Sequence, residues 1–280
     1  MDLLAGSFLL RPYVFLFLGA FLVVGARDLG FLRTLLFGAI VWPIAWVAEF
    51  ASTRVGIPFG LYHYTGLTRG RELYLADAPF FDSLSFTFLA YAAFCLARCT
   101  RRGASPPFRR SALASGSLVA ASPQDSIAPA KPALGQPPPF ATAVLAGFFM
   151  MMLDVVIDPV AVRGERWFLG HVFYYAEPGV YFGVPLSNFA GWWLVGTVGV
   201  AAYGACSRLA GPGRPGRVGA GIALYYAVLG FNLAVTVWIG EWGSLAVGSV
   251  LHAAMTFALV AMVRRAQVRG VPRTGGVQRA

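Results

Sequence analysis

The sequence predicts an all-α, polytopic integral membrane protein of about seven transmembrane helices, and three observations predict it. Hydrophobic residues make up 58% of the 280 and charged residues only 12%, against about 25% charged in a soluble globular domain. Mean hydropathy is +0.66. Apolar runs approaching the roughly 20 residues that a spanning helix needs recur along the chain, separated by arginine-bearing turns. The net charge of +10 would suggest nucleic acid as a partner for a soluble protein. Here the arginines flank apolar runs and read as topology signals instead, so no nucleic acid is expected.

The runs fall at roughly 10–26, 32–51, 79–97, 140–158, 188–207, 218–239 and 243–263, and Arg11 shortens the first. Arg27, Arg33, the cluster from Arg98 to Lys131, Arg208, Arg214, Arg217 and the tail from Arg264 place most of the 22 basic residues on one side. Arg11, Arg54, Arg69, Arg71, Arg163 and Arg166 fall on the other. The positive-inside rule then puts the N-terminus outside and the C-terminus in the cytoplasm, which an odd number of spans satisfies. The expectation is a multi-pass protein of the cell (inner or plasma) membrane. Residues 1–265 read as one helical membrane domain, interrupted at 101–139 by a Pro/Ala/Ser-rich cytoplasmic linker without periodicity. Residues 266–280 read as a basic, disordered tail suited to anionic lipid. MDLLAGSFLLRPYV has no basic stretch before its apolar run, so no cleavable signal peptide is expected.

Composition also excludes functions. Lys131 is the only lysine and lies in the linker, so no helix offers an amine for a retinal Schiff base. Cys95, Cys99 and Cys206 form no CxxC pair and no even framework. Cys95 and Cys99 read as packing residues on one helix face. His63, His171 and His252 are too few and too scattered for a di-iron site, and no metal set completes around them.

The chemistry-bearing stretch is LDVVIDPVAVRGERWFLGHVFYYAEPGVYFGVPLSNFAGWW, Leu153 to Trp193. Asp154 and Asp158 are four apart and so share a helix face. Pro159 is expected to end that helix, and Asn188 to cap the next one. The helix dipole disfavours negative charge at a C-terminal end, and a carboxylic acid that keeps its proton near neutral pH is a general acid. The bland alternative is that Asp158 pairs with Arg163 or Arg166 and pins the loop. Glu49 ends an earlier helix as a second candidate acid or base. With Asp77, Asp82 and Glu241 it falls at the non-cytoplasmic ends of the runs, so the acids converge near one interface. The turn Gly56-Ile57-Pro58-Phe59-Gly60-Leu61-Tyr62-His63-Tyr64 reads either as interfacial anchoring or as a lid of rings over a polyene or a cation.

These two blocks, in this order, resemble the CruF-type carotenoid hydratases. These belong to the carotenoid biosynthesis membrane proteins that include bisanhydrobacterioruberin hydratase. LDxxxDP…GVPxxNFxGW and the E…PFGxYxY turn carry the resemblance over most of residues 30–265. The segment LADAPFFDSLSF and the linker depart from the family pattern. The resemblance implies cofactor-independent addition of water to the terminal 1,2 double bond of an acyclic carotenoid end, giving a tertiary alcohol. Asp154, Asp158, Glu49 and Asn188 would be catalytic. Phe59, Tyr62, Tyr64, Trp167, Tyr181 and Trp192 would line the substrate. The implied partners are a lipophilic carotenoid, water, membrane lipid and other enzymes of carotenoid biosynthesis. A cyclase forming the same cation is one alternative. A transporter or carotenoid-binding protein is another, although the chain shows no internal repeat and its acids gather at an interface instead of the midplane.

Overall fold

The computed structural model describes residues 2–104, 140–207 and 217–269. Its helices are α1 (Leu3–Leu10), α2 (Pro12–Asp28), α3 (Phe31–Val55), α4 (Phe80–Ala104), α5 (Phe140–Ala161), α6 (Leu186–Cys206), α7 (Val218–Trp238) and α8 (Trp242–Arg269). Together they make an all-α, polytopic membrane protein. Six of them, α3 to α8, are long and apolar enough to cross a bilayer. The expected first span is instead a pair, α1 and α2, bent by 93° at Arg11, and it makes a seventh if the pair counts as one. Pro12 explains the restart: proline suits the first position of a new helix and cannot continue the old one. Beyond Ala104 and Arg269, the linker expected at 101–139 and the tail expected at 266–280 lie outside the described residues.

Two expected boundaries are corrected. The α5 helix runs through Pro159 to Ala161. Proline removes only the hydrogen bond to the carbonyl four residues back, here that of Val155, and the Tyr181 hydroxyl donates to that oxygen at 3.4 Å. The ladder holds beyond it, with Val162 N–H on the Asp158 carbonyl at 3.0 Å. Asn188 is not a cap: Pro185 occupies that position, and Asn188 sits in the first turn of α6 with its backbone N–H on the Pro185 carbonyl. Its side chain is thereby released for another use.

The hub is α4, which packs on α2, α3, α5, α7 and α8. Its spanning window is 78% buried against 11% for α8, which presents most of its surface to lipid. Helices α5 and α6 pack tightly, so that a side chain at Gly147 would run into the Trp193 carbonyl and Thr197. Gly147→Val is expected to cost about 1–3 kcal/mol through overpacking, measured as an earlier thermal aggregation midpoint in detergent. An unchanged midpoint would mean that the two helices are not packed this tightly.

The loops after α3 and after α5 leave the same end of the bundle. Strand β1 (Tyr62–Tyr64) and strand β4 (Phe173–Tyr175) tie them together as an antiparallel pair, with Tyr62 opposite Tyr175. A small hairpin of β2 (Tyr74–Leu75) and β3 (Ala78–Pro79) leads into α4.

Candidate active site

The Pro/Gly turn is held in place by its own helix. Gly56 closes α3 in the left-handed conformation (φ 74°) with its N–H on the Ser52 carbonyl. The Ser52 hydroxyl accepts the Phe59 N–H at 2.9 Å. Across the turn lies Gly191 of α6, where a Cβ would come within 2.6 Å of the Phe59 ring and 2.9 Å of the Pro58 backbone. Only glycine lets the turn settle there. Phe59 is thus buried beside Phe86 and Trp192, which stack with centroids 4.3 Å apart and planes at 20°.

One helical turn apart on α5, Asp154 and Asp158 are both buried. A single amide holds them. Asn188 Nδ2 donates to Asp154 Oδ2 at 2.5 Å and to Asp158 Oδ2 at 2.8 Å, which spends both of its N–H groups. The Tyr175 hydroxyl adds a third donor, to Asp158 Oδ2 at 3.0 Å. Burial, with Asp158 and Asp154 beside it, pushes the Tyr175 phenol up, so it remains a neutral donor. Asp158 does not pin the loop: Arg163 and Arg166 pair with Glu241 instead, at 3.2 and 2.5 Å. Both carboxyls therefore have neutral hydrogen-bond donors, and the donated bonds converge on Oδ2 of each. Oδ1 of Asp154 is buried without a partner.

Asp158 opens onto a cavity of about 130 Å³, with room for on the order of ten waters or the branched end of a longer chain. Glu49, Asp158 and Asn188 lie on its wall, as do Phe59, Tyr62, Tyr64, Trp167 and Trp192. The sequence expectations therefore meet in one place, with two exceptions. Asp154 stands one turn behind the wall, and Tyr181 lies off the wall on the Val155 carbonyl. Glu49 is buried with Oε2 unpartnered. Burial and then Glu49 raise the phenols of Tyr62 and Tyr64, leaving both neutral on the wall. The histidines lie off the cavity: His252 Nδ1 is 3.0 Å from the Gly248 carbonyl, and His63 and His171 both pack against Tyr174.

Sequence reasoning placed Asp82 among the acids of this end but assigned it no part in the site, and it missed the partners of Asp82. Asp82, in the first turn of α4, lines the cavity along with Tyr13, Phe231 and Asn232. Arg11, read above as a topology charge, is 1% exposed. Its guanidinium grips Glu72 through Nε at 2.5 Å and Nη2 at 3.1 Å, and reaches Asp82 Oδ1 through Nη1. The available signal was an arginine inside an apolar run beside a proline, since an ionisable group there rarely lacks a partner. A further buried group sits near the other end of the bundle, where Arg98 pairs in a fork with Asp28 and Tyr91 donates to the same carboxylate at 3.1 Å. Asp77, by contrast, pairs with Arg54 and Arg69 at the surface.

No curated protein and no solved structure matches the chain. A family model described as "carotenoid biosynthesis protein" matches residues 10–255, a span that takes in every residue lining the cavity, and on that match the chain belongs to the carotenoid biosynthesis protein family.

Proposed function

We propose that this protein is a biosynthetic enzyme of the cell membrane that hydrates the terminal 1,2 double bond of an acyclic carotenoid end to a tertiary alcohol. The observation that carries the reading is Asp158, a buried carboxyl held only by neutral donors on the wall of an aromatic cavity. Family membership supplies the substrate class. An isolated trisubstituted alkene needs a proton and a placed water, and the reaction calls for no cofactor.

Asp158 gives its proton to C2, and the alkene electron pair forms the new C2–H bond. The positive charge falls on C1, where two methyl groups stabilise it. Ring faces on the wall, among them Phe59, Tyr62, Tyr64, Trp167 and Trp192, stabilise that cation electrostatically. Water then adds to C1 and loses a proton to a carboxylate. Asn188, Tyr175 and Asp154 hold Asp158 in position, and Glu49 is a second carboxyl on the same wall.

The test is pigment analysis by chromatography and mass spectrometry in a bacterial host making lycopene, and in another making a monocyclic carotene. The expected product is heavier by one water with an unchanged chromophore. A new pigment of unchanged mass would overturn hydration and favour cyclisation. Failure to form any product in membranes holding the intact protein would favour a carrier.

A further inference from the structure

We propose that Asp82 is the base that takes the proton from the attacking water, with Arg11 as its positioning residue; this rests on the hydration reading and extends it to the second half of the reaction. Three carboxyls line the cavity, those of Glu49, Asp82 and Asp158, and their surroundings differ in sign. Asp158 lies near the C-terminal end of α5, where the helix dipole disfavours negative charge, and its partners are an amide and a phenol. Asp82 lies in the first turn of α4, where the dipole favours negative charge, and it is ion-paired with Arg11. Glu49 is buried toward the C-terminal half of α3, and among the described residues it forms no ion pair. In a low-dielectric site a cation beside a carboxylate favours its charged form. Of the three, only Asp82 has one among the described residues.

The geometry around Arg11 completes the division of labour. Glu72 takes the Nε and Nη2 edge of the guanidinium, fixing its plane and leaving Nη1 for Asp82 Oδ1. The carboxylate is thereby oriented with its other oxygen, Oδ2, as the free acceptor. The Asp82 side chain is 23% exposed while both Arg11 and Glu72 are sealed, so of this triad Asp82 is the member open to the cavity. Two carboxylates around one guanidinium leave a net negative charge beside the cavity, which also suits a cationic intermediate. In the completed step, a lone pair of the water oxygen forms the C1–O bond and one O–H proton passes to Asp82. Asp158 ends ionised and Asp82 protonated. Return of that proton through solvent resets both groups, and the net change is one water added.

The experiment separates proton donation from water attack. Membranes holding the full-length protein are incubated with lycopene in D2O, and both hydrated product and recovered carotene are analysed by mass spectrometry. A cation that meets no activated water returns a proton from an adjoining methyl to Asp158, re-forming a double bond while deuterium stays at C2. Asp82→Asn is therefore expected to lower hydrated product by about 10²–10⁴-fold, the usual scale for losing a general base, while the recovered carotene gains deuterium. Asp82→Glu is expected to restore part of the hydration. Hydration by Asp82→Asn within a few-fold of the unaltered protein would overturn the proposal. So would loss of both product and deuterium, because Asp82 would then be needed before water attacks. The underlying reading fails differently: the unaltered protein would itself give no hydrated product.

Discussion

Asp158→Asn is expected to reduce hydration by about 10²–10⁴-fold, the contribution of a well-placed general acid, equivalent to roughly 3–5 kcal/mol of barrier. The substitution is well suited to the test because it spares the surroundings. An asparagine oxygen can occupy the place of Oδ2 and still accept the Asn188 N–H and the Tyr175 hydroxyl, the two bonds that now hold the side chain. What disappears is the carboxyl proton. The loss should appear in the rate of product formation in membranes, with insertion and thermal midpoint close to those of the unaltered protein. Deuterium uptake into recovered carotene should vanish as well, in contrast to the Asp82 variant. Asp154→Asn should cost less, because Asp154 lies behind the wall and acts on the alkene only through Asn188 and Asp158. Near-normal hydration by Asp158→Asn would remove Asp158 from the reaction, leaving Glu49 as the remaining acid on that wall.

Arg11→Met is expected to have the largest effect on stability, about 3–5 kcal/mol, the usual result of deleting one partner of a buried ion pair. Methionine fills much of the volume but leaves Glu72 and Asp82 facing each other without a cation. The measurement is the thermal aggregation midpoint of the detergent-solubilised protein. Arg11→Lys should fall between the two, since a point charge cannot reproduce the planar fork that meets both Glu72 oxygens. Combining Arg11→Met with Glu72→Leu should recover part of the loss, because the second change removes one of the stranded charges. A double variant no more stable than Arg11→Met alone would show that the stranded Glu72 charge is not the source of the loss.

Much of the site was legible along the chain. The i, i+4 spacing of Asp154 and Asp158 placed both on one helical face, and the Pro/Gly turn carried Phe59, Tyr62 and Tyr64 to the cavity wall. Both are local patterns, set by helix period and turn chemistry. Tyr181 was misread as a wall residue because a carbonyl freed by Pro159 has no signature in sequence: the distance between Val155 and Tyr181 closes only when the loop folds back. The same reason explains the end of α5. Proline normally stops a helix when nothing satisfies the bond it removes, and here a distant hydroxyl does so.

Hydropathy and charge along the chain set the solvent this protein lives in, six of its spans and the end of the bundle at which most of its acids gather, because they act over short stretches of chain. Tertiary structure alone decided which acids share partners. Asn188 lies thirty residues beyond Asp158 and holds it together with Asp154, Arg163 and Arg166 turn to Glu241, and Arg11 meets Glu72 across 61 residues and Asp82 across 71. A charge buried away from water must find its counterpart wherever folding brings one within reach, and that choice is made by the packing of helices around α4, not by spacing along the chain.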